Sequence, residues 1–412
     1  MDSLGRPSAV KQQTGHDEIW RGVNSFLNWI EAEKYESHDP YDVWGTKYGL
    51  FARRLYYKNR FIGAPLILPL LLAEIVCPHA RVFFTRKQRF ATADAQLVLA
   101  FSNLYSLTSE SRYLYHARAL AGELLQYSIP GYSGYCWGYP FDWQHNRGLW
   151  ERNTPFITAT PYCYEAFVLL YEVTGEDSFL EVAKSIARFV QHDLQDVPTS
   201  SDAAAGSYSP RDDSQVINAS AYRAMVLYDA AAKFNVVEYE KTAERNLNFI
   251  LQTQRDDGAW LYAHNNPAET FIDHFHTCFV LKNLWKLNRR LRSSSVAAAI
   301  SRGYEYYRRN LFGPGGLPRS FSVKPRMQLA RYELYDFAEA INLGALLRKD
   351  IPEAFEMGQN VAETVCRRFQ LPDGHFVTRV YGVGIKHVFP FLRWPQAQMF
   401  HALTRFLLAA YD

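Results

Sequence analysis

Apolar positions along this chain recur with helical spacing, in segments that come in pairs. The stretch "GEDSFLEVAKSIARFVQHDL" (175–194) is apolar at i, i+3, i+4 and i+7, the signature of a helix with one buried face. The segment after it, 215–234, is apolar nearly all round, as a helix enclosed by others must be. This alternation predicts six helical hairpins: 61–77 with 89–107, 111–127 with 155–174, 176–195 with 215–234, 239–254 with 271–287, 296–310 with 327–347, and 354–369 with 391–411. Two further helices are expected near 15–34 and 46–58. One helix pair cannot bury both of its faces, but a closed ring lets the second helices bury theirs.

The expected fold is therefore all-α, an (α/α)6 toroid whose first helices lie outside and second helices inside. An open helical solenoid is the alternative that the same pattern allows. Residues 1–58 are expected to form a helical extension packed on the toroid, with 59–412 as the toroid itself. The run "FIGAPLILPLLLAEIV" (61–76) carries two prolines and falls short of the roughly 20 residues of a bilayer span. It reads as a buried core helix.

In such a ring every outer-to-inner loop emerges at one end. The long loops are 128–154, 196–214, 255–270, 311–326 and 370–390, whereas inner-to-outer turns such as "TGEDS" are short. Long loops gathered on one end of a rigid scaffold mark that end for function.

The loop 255–270 and the helix after it contain "DGAWLYAHNNPAETFIDHFHTC" (257–278), with Trp260, Tyr262, Glu269, Asp273, His274 and His276. Asp273 precedes His276 by one helical turn, so its carboxylate can set the imidazole tautomer. His274 points roughly 160° away from His276 at 100° per residue. The spacing matches no zinc pattern, so neither metal nor cofactor is expected.

Loop 128–154 places Trp137, Tyr139, Phe141 and Trp143 close together, a set suited to stacking on sugar faces or, failing that, to packing the loop. Loop 196–214 offers Tyr208 and Asp212, with Asp213 suited to a helix cap, and "HDPYDVWGT" (38–46) offers Asp42. Arg393 and Trp394 approach from the C-terminal side, Arg393 as a carboxylate or phosphate clamp or, equally, as a partner for helix carbonyls or a structural acid. Asp94, Glu165, Asn218, His276, Asp336 and Gln396 each interrupt the first turn of an inner helix, and together predict a polar ring around the axis.

Composition narrows the reading. Aromatic residues reach 15%, while 45 basic and 42 acidic residues nearly balance, so nucleic acid is excluded as a partner. The five cysteines show no CxxC spacing, and the N-terminus has no apolar leader; both suit a reducing cytoplasm without disulfides. No Gly-rich phosphate loop, GxSxG elbow or DxDD acid motif is present.

The stretches "HDPYDVWGT", "WGYPFDWQ" (137–144), "TPYCYEAFVLLYEVTGEDSFLEVAKSIARFVQHDL" (160–194), "SYSPRDDSQVINAS" (207–220) and "FIDHFHTCFVL" (271–281) resemble a family of bacterial polysaccharide-biosynthesis proteins. These are encoded in exopolysaccharide and capsule clusters. The resemblance runs through nearly the whole chain, and His274 departs from it where the family pattern "IDNFHT" has Asn. It implies a toroid similar to sugar 2-epimerases, glucuronyl C5-epimerases and polysaccharide lyases, and a role in surface-glycan production.

The expected activity is an epimerase or lyase-like proton abstraction on a sugar, nucleotide sugar or oligosaccharide. Asp273 and His276 would be the base pair and Tyr208 the acid or second base. Arg393 would clamp a carboxylate, Trp137, Tyr139, Trp143 and Trp260 would form stacking walls, and Trp394, Glu165, Asn218 and Gln396 would also bind substrate. Glycoside hydrolysis by Asp42 and Asp212 is the first alternative. A non-catalytic glycan-binding protein, working with other polysaccharide-assembly proteins, is the second.

Overall fold

The computed structural model describes residues 16–324, 328–382 and 384–411. The first 15 residues, where no leader is expected, and Met327, expected to open an inner helix, lie outside them. Six helices line the axis: α4 (Ala91–Thr108), α6 (Thr160–Thr174), α8 (Ile217–Phe234), α10 (His274–Leu291), α12 (Leu334–Leu347) and α14 (Ala397–Tyr411). Each packs on the next, and α14 returns to α4, which closes the ring and rules out the open solenoid. Their burial explains their composition: α12 is buried at every residue, and α4 from Ala91 to Leu104.

The outer layer holds α5 (Ser111–Gln126), α7 (Asp177–His192), α9 (Val237–Gln252), α11 (Ser294–Asn310) and α13 (Pro352–Arg368). Each packs on the inner helix that precedes it. These helices bury one stripe only, as α7 does with Ala183, Ile186, Ala187, Phe189 and Val190.

The sixth outer place differs from expectation. It belongs to α1 (Asp17–Glu33), which packs on α13 and α14 and so joins the two ends of the chain. Phe26 of α1 stacks 4.8 Å from Phe400 and 5.6 Å from Phe376. Three loop glycines show the equivalence of the outer helices. A Cβ on Gly134, Gly258 or Gly374 would strike the backbone of α7 at Ser185, of α11 at Arg302, or of α1 at Ser25.

The segment 61–77 is thus not an outer helix, and the core assignment for it is corrected. Helices α2 (Lys47–Lys58) and α3 (Arg60–Val76) form an excursion between α1 and α4, packed mainly on each other. Only Gly63 of α3 is buried, and Phe61 is 91% exposed. A run whose one charge is Glu74 carries too little of a polar face for its neighbours to be read, whereas the amphipathic stripe Ile19, Val23, Phe26, Leu27 and Ile30 fits α1 to the ring.

Short strands tie the long loops together at one end. A hairpin joins β1 (Trp143–His145) to β2 (Gly148–Trp150), and a second joins β3 (Asp196–Pro198) to β4 (Ala204–Gly206). The strand β5 (Ile272–Asp273) pairs with β6 (Phe321–Val323), linking two successive loops. Likewise β7 (Ala330–Glu333) pairs with β8 (Arg379–Tyr381), which pairs with β9 (Lys386–His387).

Gly258 has φ +90°, and a Cβ there would lie 2.4 Å from the Arg302 carbonyl oxygen. Gly258→Ala is therefore expected to lower unfolding free energy by roughly 1–3 kcal/mol, read from a urea midpoint.

Candidate active site at the ring mouth

The mouth is built around the N-terminus of α10. Asp273 ends β5 in extended conformation and caps the helix, its Oδ1 accepting the His276 backbone N–H at 3.0 Å. Its other oxygen, Oδ2, lies 2.6 Å from His276 Nδ1. A carboxylate against Nδ1 holds the proton there and leaves Nε2 as the lone-pair nitrogen. The Asp273 side chain is 2% exposed and that of His276 21%, so the acid is sealed while the imidazole reaches solvent.

The Tyr262 ring stands edge-on to His276 at 4.6 Å and stacks on Phe271 at 4.7 Å. Burial, with the nearby Glu269 and Asp273 charges, pushes the Tyr262 phenol well above its ordinary value, so it keeps its proton. A small cavity beneath is lined by Asn218, Trp260, Tyr262, Asp273, His276 and Val280. The Asn218 amide is buried there with neither side-chain atom hydrogen-bonded among the described residues.

Half-buried aromatics continue around the rim. Trp143 lies 5.9 Å from Tyr41, 6.1 Å from Tyr139 and 5.1 Å from Trp150. On one side this wall reaches Glu269 through His145, whose Nε2 is 3.7 Å from the carboxylate. Burial tends to raise the Glu269 pKa, but hydrogen bonds from Arg147 (2.8 Å) and Asn146 (3.0 Å) outweigh it and hold the carboxylate ionised. On the other side Arg393 lies over Tyr139, Trp394 stacks 3.9 Å from Tyr335, and Phe275 meets Trp394 edge-on beside His276.

Deeper on the axis, Tyr162 and Tyr222 share a 2.6 Å hydrogen bond, and Lys282 pairs with Glu339 at 2.5 Å. Glu165 pairs with Lys286. Burial opposes ionisation of Glu165, yet Lys286 and Arg405 together hold its pKa below the usual value.

The expected polar ring divides. Glu165, Asn218 and His276 face the axis. Asp94 instead bonds Arg89 and Tyr127, and Gln396 holds both the N–H and the carbonyl of Phe376. Asp336 is buried beside Ser320, which leaves Tyr335 to meet Trp394 at the mouth. A register one residue off on a fully buried helix exchanges axis for wall.

Several expected site residues serve the scaffold. The Trp137 and Trp260 indoles donate to the Leu124 and Ile250 carbonyls at 2.8 and 2.9 Å, satisfying the last turns of α5 and α9. Trp137 is 1% exposed and stands outside the cleft; Trp260 reaches only the cavity floor. Arg393 is bidentate to the fully buried Asp39, with N–O distances of 2.6 and 2.7 Å, so its fork is not open to a substrate carboxylate.

The proposed hydrolytic pair also fails. Asp42 is bound by Arg81 (2.9 Å) and the Asp39 N–H (3.0 Å), and burial pushes its pKa up to about 6. Asp212 is spent on its own loop, accepting from the N–H groups of Tyr208, Ser209 and Ser214. Tyr208 accepts a hydrogen bond from Thr158 (3.1 Å) and stacks on Trp150. Tyr262, Glu269 and Arg147 are among the mouth residues to which sequence reasoning assigned no role. Their only sequence signal is position in two long loops that the fold brings together.

His274 turns away from the mouth, as the helical angle predicts. Its ring lies between the Leu311 carbonyl (3.1 Å) and the Tyr307 hydroxyl (2.9 Å). Burial lowers its pKa from 6.5 to about 3. In that window the unfolded chain binds the extra proton, so the His274 contribution is full above about pH 6.5 and fades as pH falls toward 3. His274→Asn should flatten the acid side of the stability–pH curve, measured by urea unfolding from neutral to acid pH.

With ring and mouth defined, the chain falls in the class of (α/α)6 toroids, a fold it shares with solved carbohydrate-processing enzymes. An unsaturated glucuronyl hydrolase specific for heparin superposes with a TM-score of 0.60, covering 95% of this chain and 97% of its own at 12% identity. A GH76 α-mannanase from Bacteroides thetaiotaomicron gives 0.59 over 78% and 86%, also at 12% identity. Cellobiose 2-epimerase from Bacillus thermoamylovorans gives 0.58 over 78% and 87%, again at 12%. No protein-family model matches the chain, and no curated protein matches its sequence. Likeness at this identity carries the fold alone.

Proposed function

We propose that this protein is a carbohydrate-active enzyme that abstracts a proton from a sugar carbon, as a sugar or uronate epimerase or a lyase does. One observation carries the reading: a sealed carboxylate 2.6 Å from a half-open imidazole, set in an aromatic cleft. His276 Nε2 has no hydrogen-bond partner among the described residues and is the atom that would accept the proton.

The substrate carbon must be acidified by an adjacent carbonyl, either an opened aldose or a uronate carboxyl. The C–H electron pair passes into that carbonyl as an enolate while Nε2 takes the proton, and Asp273 stabilises the resulting imidazolium. Return of a proton to the opposite face gives the epimer; loss of a substituent from the next carbon gives the unsaturated sugar. The Tyr262 phenol, protonated and beside the imidazole, would donate to the departing group in the elimination. Trp143, Tyr139 and Trp394 would stack on the ring, and the unpaired Asn218 amide would meet a hydroxyl.

The wider role, surface-polysaccharide production in a bacterium, rests on the sequence resemblance, and the cytoplasmic setting on the scattered cysteines. The test is incubation in D2O with aldoses, uronic acids and nucleotide sugars, followed by NMR. Deuterium at one stereocentre, or a new double bond, is expected. New reducing ends with neither deuterium uptake nor a new double bond would overturn the proposal in favour of hydrolysis.

A further inference from the structure

The excursion α2–α3 carries a surface that the ring does not need. Along α3, Phe61, Leu68, Leu72 and Val76 recur at helical spacing and are 91%, 53%, 50% and 78% exposed. Ile62 extends this stripe, and the 3-10 turn after α3 adds Phe83 at 88% and Phe84 at 56%. A contiguous apolar face of this kind marks a contact site.

The excursion is also held in place. Arg81, 1% exposed, bonds Asp42 and the Asp39 carbonyl, pairs with Glu74, and lies 4.5 Å over the Phe391 ring. Glu74 in turn meets His387 at 3.0 Å. The apolar side therefore faces outward by construction.

Charge identifies what covers it. From Lys47 to Arg89 nine Lys and Arg stand against a single acid, Glu74. Arg81 is spent on that acid, Lys87 on Glu33 and Arg89 on Asp94. Lys47, Arg54, Lys58, Arg60 and Arg86 are exposed with no acidic partner among the described residues. In a twofold pairing with a second copy these cations would face their own equivalents, so the surface favours an anionic occupant. At 17 residues α3 is about 25 Å long, short of a hydrocarbon core of about 30 Å, and no helix among the described residues is long and apolar enough to cross a membrane.

We propose that α2–α3 is an interfacial membrane anchor. The apolar face of α3 lies at the headgroup–acyl boundary of a bilayer rich in anionic lipid, and Lys47, Arg54, Lys58, Arg60 and Arg86 meet its phosphates. This is independent of the chemistry at the mouth.

The test is flotation of the full chain with phosphatidylcholine vesicles, with and without phosphatidylglycerol. Binding to the anionic vesicles is expected, weakening as salt is raised. The Phe61→Asp/Leu72→Asp variant should lower the bound fraction about tenfold. Neutralising Arg54→Gln/Lys58→Gln/Arg60→Gln, on exposed side chains that leave folding intact, should lower it about tenfold or more. The proposal is overturned by a chain that floats with neither vesicle or by charge variants that float like the parent. A lipid-independent dimer broken by Phe61→Asp would overturn it too, making the face a self-association surface.

Discussion

His276→Ala is expected to lower turnover by about 100- to 10,000-fold, the range associated with loss of a general base. Its thermal midpoint should fall only modestly, because the buried Asp273 loses the partner of one oxygen but keeps the backbone N–H of residue 276 on the other. The companion variant is Asp273→Asn. Asparagine keeps an oxygen for the cap on the His276 N–H, but it removes the charge that holds the proton on Nδ1. Activity should fall by about 100-fold with stability nearly unchanged, whereas Asp273→Ala should in addition cost about 1 kcal/mol of cap. Deuterium uptake and urea midpoints measured on the same preparations separate these effects. Full activity in His276→Ala would remove the catalytic reading and leave the mouth a glycan-binding surface.

Arg393→Met is expected to have the largest effect on stability, about 3–5 kcal/mol, because it strands a carboxylate that is wholly buried. Asp39 accepts both arms of the guanidinium fork, and Met supplies neither donor nor charge. Adding Asp39→Asn should recover part of the loss by removing the stranded charge. Equilibrium unfolding of the two single variants and the double variant gives the coupling. Unchanged stability with a raised KM for an acidic sugar would return Arg393 to the role of clamp. Residues in the same buried network, such as Arg81 with Asp42, should follow the same rule.

Much of the ring is legible along the chain because helices are local objects. Periodicity of 3.6 residues separates α7, with one buried stripe, from α12, buried all round, and loop lengths assign the mouth to one end. The same periodicity places Asp273 and His276 on one face and turns His274 away, which the contacts bear out. Gly258 and Gly374 both take positive φ against a neighbouring outer helix, so two successive Asp-Gly turns along the chain serve the same place in the ring.

What the pattern could not supply is competition between side chains distant in sequence. Arg393 reads as a clamp until Asp39, 354 residues earlier, takes both of its arms. Trp137 reads as a sugar platform until the free carbonyl of Leu124 claims its indole. Asp94, Asp336 and Gln396 are spaced correctly along their helices, but which side of a fully buried helix meets the axis depends on neighbours, not on hydropathy. The hydrophobic run of α3 is the clearest case: with Glu74 as its one charge between 61 and 76, its hydropathy does not say whether protein, lipid or water lies beside it.

By itself, then, the sequence determined most of the helices, their alternation of outer and inner along the ring and the acid–imidazole couple on one turn. Each of these follows from forces acting within a few residues. Only the tertiary structure decided which polar groups are already satisfied by partners and which are left open to a substrate. A buried charge or amide must be paired by whatever lies next to it in space, and chain order does not record that neighbour.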